Sequence, residues 1–338
     1  MEKRIITFDE GLHKYSDEYG KVYTSVTQLI HKVAPTYDTE FWAMYRALDQ
    51  AGYKPRPFPE VRVIEVLYNG KRQKFELSSL LNGILPVNKE HSDFVVSEWD
   101  EIKDTACRWG TTKHEYLEDN LNKIVGTSKI TIDVINTNSQ KFGYAFRVTN
   151  LKELEDSPLQ FAYPSIYRQI SSYIKDGWVL YAEKRVYDAE YQVAGTIDVL
   201  LVKDGKAMIV DWKTNKEPLK FEAGYYKKEW NATRTKKVKT TEWVKTKDRF
   251  KHPLGLVPYC TGNTYIMQLS SYHFLCSRWG LKPYGTLLVH IRPRLDKEGE
   301  ILLNAKGDRI EHEPEFYELP LWRKEVSDLF NWHKSTLK

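Results

Sequence analysis

Two short apolar runs, Val199 to Val202 and Ala207 to Val210, flank a polar stretch centred on Asp204-Gly205. Runs of this length around an Asp-Gly dipeptide predict a β-hairpin with a two-residue turn. Lys203 then pairs with Lys206, and stepping outward along both strands brings Asp198 opposite Asp211, about 5 Å apart at Cα. Lys213, two residues past Asp211, projects from the same face. Leu180 to Asp188 alternates apolar and polar residues and predicts the preceding strand, which carries Glu183. Tyr284 to Arg294 predicts a further strand, the last of the core. Helical spacing runs from Tyr265 to Cys276 and ends near Gly280, placing Gln268 and Tyr272 four apart on one face. Phe316 to Leu337 reads as a closing helix. Near the start, residues 3–24 predict a small hairpin, followed by a helix that begins after Thr24 or Ser25. Residues 50–98 carry Pro55, Pro57 and Pro59 and then mixed helical patterns, as an insertion would. The implied fold is α/β, a mixed sheet that starts antiparallel and is flanked by helices.

Opposed carboxylates change the reading of the hairpin. Like charges directly across a ladder are destabilising. A divalent cation between Asp198 and Asp211 removes that repulsion, since hard cations prefer carboxylate oxygens. The plainer alternative is that both aspartates merely cap their strands at a solvated edge. An isolated Asp-x-Lys would carry little weight; the opposed aspartate, the lysine two residues on and the strand context carry it together.

These residues resemble the PD-(D/E)XK nuclease superfamily in its RecB-like branch, the type of phage exonucleases and the mitochondrial genome-maintenance exonuclease. The branch pattern G-x-x-D, D-x-K-T, Q-x-x-x-Y is matched in order by Gly195-Thr-Ile-Asp198, Asp211-Trp-Lys213-Thr214 and Gln268-Leu-Ser-Ser-Tyr272. Ala106-Cys-Arg-Trp-Gly110-Thr-Thr-Lys-His114-Glu-Tyr-Leu-Glu118 is similar to the helix-borne A-x-x-x-G-T-x-x-H-x-x-x-E segment of the branch. His13-Lys-Tyr15 and Ser25-Val-Thr27 loosely resemble an opening element of relatives, and no chemistry is assigned to them. The resemblance implies a restriction-endonuclease-like core with an N-terminal helical elaboration. It divides the chain into an elaboration over 1–99, a nuclease core over 100–300 with a basic flap at 220–252, and a closing segment over 301–338. It also implies one or two Mg²⁺ or Mn²⁺ ions held by His114, Asp198, Asp211 and the Trp212 backbone carbonyl. Lys213 then positions or helps deprotonate a water, while Glu183, Gln268 and Tyr272 border the reaction. By themselves, Glu183 reads equally as an ordinary strand carboxylate, and the Gln268–Tyr272 pair as a buried amide and a capping tyrosine. The implied activity is hydrolysis of DNA phosphodiesters, as an exonuclease on single-stranded or end-processed DNA in recombination, replication or repair. A structure-specific or restriction-type endonuclease and a non-cleaving DNA-binding protein are the alternatives.

Composition narrows this picture little. Charge narrows it more. The formal net charge is +5, yet Phe221 to His252 holds ten Lys or Arg against four Asp or Glu, so the excess sits in this one segment. Aromatics interleave with its bases; cations neutralise phosphates and rings stack unpaired bases. Lys227, Lys228, Trp230, Arg234, Lys236, Lys237, Lys239 and Trp243 are therefore candidate DNA contacts, with Arg292 and Arg294 on the later strand. A solvated charged hairpin is the bland alternative. Cys107, Cys260 and Cys276 make neither a disulfide framework nor a zinc spacing. With only three scattered cysteines no iron–sulfur cluster is expected. No apolar stretch has the length of a membrane span, and the acidic start lacks a signal core. These features lead to the expectation of a cytoplasmic protein of a bacterial or phage-infected cell, without a membrane partner. No G-x-x-x-x-G-K-[ST] segment is present. Any unwinding falls to a partner such as a helicase; a polymerase or a single-strand-binding or annealing protein is a further candidate partner.

Overall fold

The structure, a computed structural model, describes residues 5–9, 11–12, 14–122, 146–148, 159–230 and 237–337. The chain forms two compact units: Thr36–Thr111, and Met1–Pro35 together with Thr112–Lys338. In the larger unit, β1 (Ile6–Asp9), β2 (Lys14–Asp17) and β3 (Val22–Ser25) form an antiparallel meander. Asp17 closes its second turn, accepting from Lys21 N at 2.9 Å and from Tyr23 Oη at 3.1 Å. The helix Val26–Lys32 follows directly because Ser25 and Gln28 form a reciprocal capping box.

The smaller unit contains a three-stranded antiparallel sheet of β4 (Arg56–Phe58), β5 (Val63–Tyr68) and β6 (Lys71–Glu76). Residues 50–98, expected to show mixed helical patterns, thus carry three strands as well. Asn69 and Gly70 both take positive φ, +49° and +76°, which suits a two-residue hairpin turn. The alternation Val63-Ile64-Glu65-Val66 then buries Ile64 and Val66 against Phe41, Met44 and Leu48 of the helix Thr39–Gln50. Proline at 55, 57 and 59 masks this strand pattern in the sequence.

In the larger unit the main sheet continues with β7 (Phe146–Val148), β8 (Val179–Asp188), β9 (Val193–Lys203) and β10 (Lys206–Lys213). A separate two-stranded hairpin, β11 (Gly224–Trp230) with β12 (Lys237–Lys245), comes next. The sheet ends with β13 (Lys282–His290) and β14 (Glu315–Glu318). The expected hairpin forms: Lys203 pairs with Lys206, and Asp204 and Gly205 turn at φ +49° and +69°. β13 is parallel to β10, whereas β8 and β10 are antiparallel to β9, so the sheet is mixed. β13 is not the last strand. The Glu315–Glu318 segment, read from sequence as the start of a helix, pairs along its outer edge, and the closing helix runs Arg323–Thr336. Burial alternates along Glu315–Glu318, with Glu315 and Tyr317 half-buried and Phe316 and Glu318 exposed, as suits an edge strand with one face on the sheet.

Both faces of the sheet are buried. Ile209, Ala207 and Leu288 join one core with Met267, Leu269 and Leu275 of the helix Thr261–Arg278. Val199, Leu201, Met208, Val210 and Trp212 join the other with Ile166, Ile170 and Ile174 of the helix Pro164–Lys175. This explains why β9 and β10 read as continuous apolar runs. Each fully buried aliphatic side chain contributes about 1.5–3 kcal/mol.

One edge of β9 is shared. Val199 to Lys203 pair with β10, while Val193 and Ala194 pair in parallel with β3. Between them, residues 195–198 belong to neither ladder, and a fork opens in the sheet at Gly195-Thr-Ile-Asp198.

Lys184 of β8 is fully buried, and burial pulls its ammonium down to about 7. The folded state therefore binds this proton less well than the unfolded chain. The penalty begins as pH falls below the ordinary lysine value of 10.5 and is complete near 7. Lys184→Met is expected to raise the Tm by about 3–10 °C at neutral pH, with the gain vanishing toward the ordinary lysine value; thermal unfolding across pH checks it.

Candidate active site at the strand fork

The fork is where the hairpin's two aspartates end up. The ladder of β9 and β10 closes at Val199 with Val210, and Asp198 and Asp211 are the next residues outward on each strand. There the Asp198 carboxylate replaces a main-chain acceptor: the Trp212 N–H donates to its Oδ2 at 2.8 Å. Asp211 is 1% exposed and Asp198 9%. Ile209, on the same face as Asp211 and Lys213, packs toward the helix Thr261–Arg278. Trp212 points the other way, into the second core, which leaves only its main chain to serve the site.

Lys213 forms an ion pair with the buried Asp211 Oδ2. The Lys213 ammonium also lies 5.0 Å from the centre of the Tyr265 ring. Tyr265 is itself held, donating to Asn215 Oδ1 at 3.0 Å, and His290 Nε2 lies 2.8 Å from the Asn215 carbonyl. A carbonyl only accepts, so Nε2 carries the proton. The loop after β10 is thus tied to β13 and to the helix at once.

Burial raises the Asp211 carboxyl to about 6; the nearby Lys213 opposes this and the Asp198 charge adds to it. Burial works against the Lys213 ammonium, but Asp211 and Asp198 outweigh it and raise its pKa overall. Lys213 therefore stays charged at neutral pH. Two carboxylates and one buried cation leave a local negative excess, the arrangement that a divalent cation relieves.

His114 sits in the helix Lys89–Asn122, with Nδ1 3.6 Å from Asp198 Oδ2. Its position follows from its neighbour: Lys113 pairs with Glu311 at 2.8 Å and donates to Tyr163 Oη, which donates to Glu311 at 2.7 Å. Burial, then Glu311, keeps the Tyr163 phenol protonated by raising its pKa. The donors at the fork fit Mg²⁺ or Mn²⁺ in kind, as two carboxylates and an imidazole. Among the described residues, no three His, Cys, Asp or Glu side chains are already gathered into one coordination shell.

Glu183 lies on β8 between the pairs Ala182–Val199 and Lys184–Ile197, so the register sets it level with Asp198 on the adjacent β9. Its φ of +48° is uncommon for a residue other than glycine and marks a strained position. Glu183, Asp198 and Asp211 thus occupy one row across three strands. Gln268 donates to Tyr272 Oη at 3.1 Å, as their four-residue spacing allows. Tyr272 is buried against the fork: a Cβ on Gly195 would stand 2.7 Å from its ring and 3.3 Å from Val26. Burial, then the Asp211 charge, raises the Tyr272 phenol well above its usual value and keeps it protonated.

The basic flap is the hairpin β11–β12, and its cations are less free than their number suggests. Lys227 pairs with Glu229 and Glu242, Lys239 with Glu217, and Lys245 with Glu222. Lys228 lines a groove at the hairpin base, Trp243 packs edge-on to Tyr226, and Lys237 is opposite Trp230. Arg234 and Lys236 lie outside the described residues, as does His13. Arg292 pairs with Glu315 of the edge strand and Arg294 is exposed.

Three residues to which the sequence assigned no role stand at the site. Tyr265 covers Lys213, Asn215 holds Tyr265, and Tyr15 reaches Thr196 of the fork at 2.9 Å. Tyr265 was findable, since it is three residues before Gln268 on the same helix face. The Asn215 and Tyr15 contacts join residues 50 and 181 apart, and the element His13-Lys-Tyr15 carried no sign of the second. No protein-family model matches the chain, and no curated protein matches it.

Two stability outcomes follow from this geometry. Gly195→Ala is expected to cost about 1–3 kcal/mol in chemical denaturation, because Tyr272 and Val26 must move to admit the methyl. For Asp211, a folded pKa above the ordinary 3.8 means that the ionised form costs stability. That cost is absent at lower pH, grows as pH rises through the interval up to about 6, and is constant above it. In metal-free buffer the stability of the parent relative to Asp211→Asn is therefore expected to fall by on the order of 2 kcal/mol as pH rises through that interval, read by denaturation across pH, on top of the offset that losing the partner of buried Lys213 imposes on the variant.

Proposed function

We propose that this chain is a metal-dependent deoxyribonuclease with a restriction-endonuclease-like PD-(D/E)XK core, acting as an exonuclease on DNA ends. The observation that carries the reading is the strand fork that holds Asp198, Asp211 and Lys213 together at buried positions. Two carboxylates kept adjacent at a cost to stability, with a lysine and a histidine beside them, make sense as a cation and phosphate site. The G-x-x-D, D-x-K-T and Q-x-x-x-Y resemblance points the same way.

His114, Asp198, Asp211 and the Trp212 carbonyl would hold one or two Mg²⁺ or Mn²⁺ ions. Such ions supply Lewis acidity toward a phosphodiester and generate a nucleophile from water at neutral pH. Lys213, kept charged by its two carboxylates, offers positive charge to a phosphate as negative charge develops on it. Tyr265 covers one side of that ammonium and limits its access to water. Trp212 N–H fixes the Asp198 carboxylate in one orientation, which pre-organises the ligand oxygen. Gln268 and Tyr272 support the floor of the fork rather than reach past it. Recombination, replication or repair is the setting in which such end processing is used, with a helicase, polymerase or single-strand-binding protein as the partner.

End-labelled linear single-stranded and duplex DNA, beside closed circles, should be incubated with Mg²⁺, Mn²⁺ or chelator. Loss of linear DNA with circles spared is expected, and only with metal. Cut circles would turn the reading to an endonuclease; intact DNA that is still bound would turn it to a binding module. Asp211→Ala and Lys213→Ala are each expected to lower cleavage by at least about a hundredfold while DNA binding survives. Mg²⁺ should raise the Tm of the parent and not that of Asp211→Ala, a readout independent of turnover.

A further inference from the structure

A groove of about 600 Å³ runs between the base of the β11–β12 hairpin and the first turns of the helix Thr261–Arg278. Its volume is that of a small-ligand site. Two glycines let its walls close up. A Cβ on Gly224 would fall 2.4 Å from the Val244 carbonyl and 2.8 Å from the Trp243 ring. One on Gly262 would fall 2.6 Å from Phe221 and 2.7 Å from the Lys220 carbonyl.

Rings dominate the lining: Tyr225, Tyr226, Trp243, Tyr259 and Tyr265. Tyr225 is 57% exposed, and Tyr226 and Trp243 meet edge to face at 4.9 Å. The charges, by contrast, cancel. Lys220, Lys228 and Lys239 are matched by Glu217, Glu222 and Asp248. Lys239 is paired with Glu217 and lies 4.1 Å from the Tyr226 ring centre, while Lys220 lies 5.2 Å from that of Trp243. These cations are engaged by rings and carboxylates, so the groove is not a phosphate cradle. Its needs are those of a flat, uncharged heteroaromatic with hydrogen-bonding edges. The Trp243 indole N–H is buried and finds no acceptor among the described residues.

Tyr265 belongs both to this groove and to the cover of Lys213. A base seated in the groove therefore has its own backbone next to the fork. We propose that the groove is a nucleobase pocket that receives an unpaired base at a strand end, so that the protein selects single-stranded DNA or frayed ends. The proposal rests on the nuclease reading for its location and not for its chemistry. A base inside a duplex has its faces stacked and its edge paired, and cannot enter; an unpaired base offers both.

Binding in chelator, where no strand is cut, tests this apart from cleavage. Fluorescence anisotropy would compare a short labelled oligothymidylate, the same strand with abasic residues at its ends, and a duplex of equal length. The base-bearing strand is expected to bind about tenfold tighter than the abasic strand, which carries the same phosphates. Trp243→Ala should remove that difference and leave affinity for the abasic strand unchanged. Tyr225→Ala, at an exposed ring, serves if Trp243→Ala fails to fold and should narrow the gap in the same direction. Equal binding of the base-bearing and abasic strands by the parent, or duplex bound as tightly as single strand, would overturn the proposal. Base-dependent binding without metal-dependent cleavage would keep the pocket and reject the nuclease; cleavage with base-independent binding would do the reverse.

Discussion

The hydrogen bond from Trp212 N–H to the Asp198 carboxylate joins the two strands at the point where their ladder stops. Without it, β9 and β10 would end at a frayed pair of apolar strands. With it, a side chain replaces a main-chain acceptor and the strands can separate while the buried N–H stays satisfied. The separation is what lets β3 take over the edge of β9 at Val193 and Ala194, and lets Tyr272 reach Gly195. The fork, the first meander and the helix Thr261–Arg278 are therefore one construction.

That construction concentrates charge where a fold left to itself would avoid it. Asp211 is buried beside Asp198, and Lys213 offsets only part of the resulting field. Lys184, on the neighbouring strand, is buried too, yet packs near the Trp279 ring, 5.9 Å from its centre, and not at the fork. The strained backbone at Glu183 falls in the same row as the two aspartates. Strain and unbalanced charge in one row of three strands are the physical basis for treating this place as functional, since structure alone gains nothing from them.

The flap shows how a charge count misleads. Ten bases against four acids suggested a bare cationic surface over Phe221 to His252. In three dimensions Lys227, Lys239 and Lys245 meet Glu217, Glu222, Glu229 and Glu242, and Lys239 also lies on the Tyr226 ring. Glu217 lies outside the counted segment, and pairing across the hairpin is set by register rather than by order. What the hairpin presents at its base is an aromatic groove with balanced charge.

The chain's local pattern determined much of the site by itself. Asp-Gly between two apolar runs dictates a tight hairpin, and a hairpin register places Asp198 level with Asp211 and aims Lys213 to the same side. The helix that carries Gln268 and Tyr272 follows from a 3.6-residue period in the same way. The three-stranded sheet of Thr36–Thr111 was missed: Asn69-Gly70 marks its turn, but residues 50–98 read as mixed helical patterns behind three prolines. Only the tertiary structure decided the rest. That β9 forks between β3 and β10, that β14 covers β13, that Tyr265 lies over Lys213 and that Tyr15 reaches Thr196 all join segments distant in sequence. Short-range periodicity records which face of an element is buried. It carries no record of which distant element buries it, because that choice is made by shape and packing among surfaces that look alike in sequence.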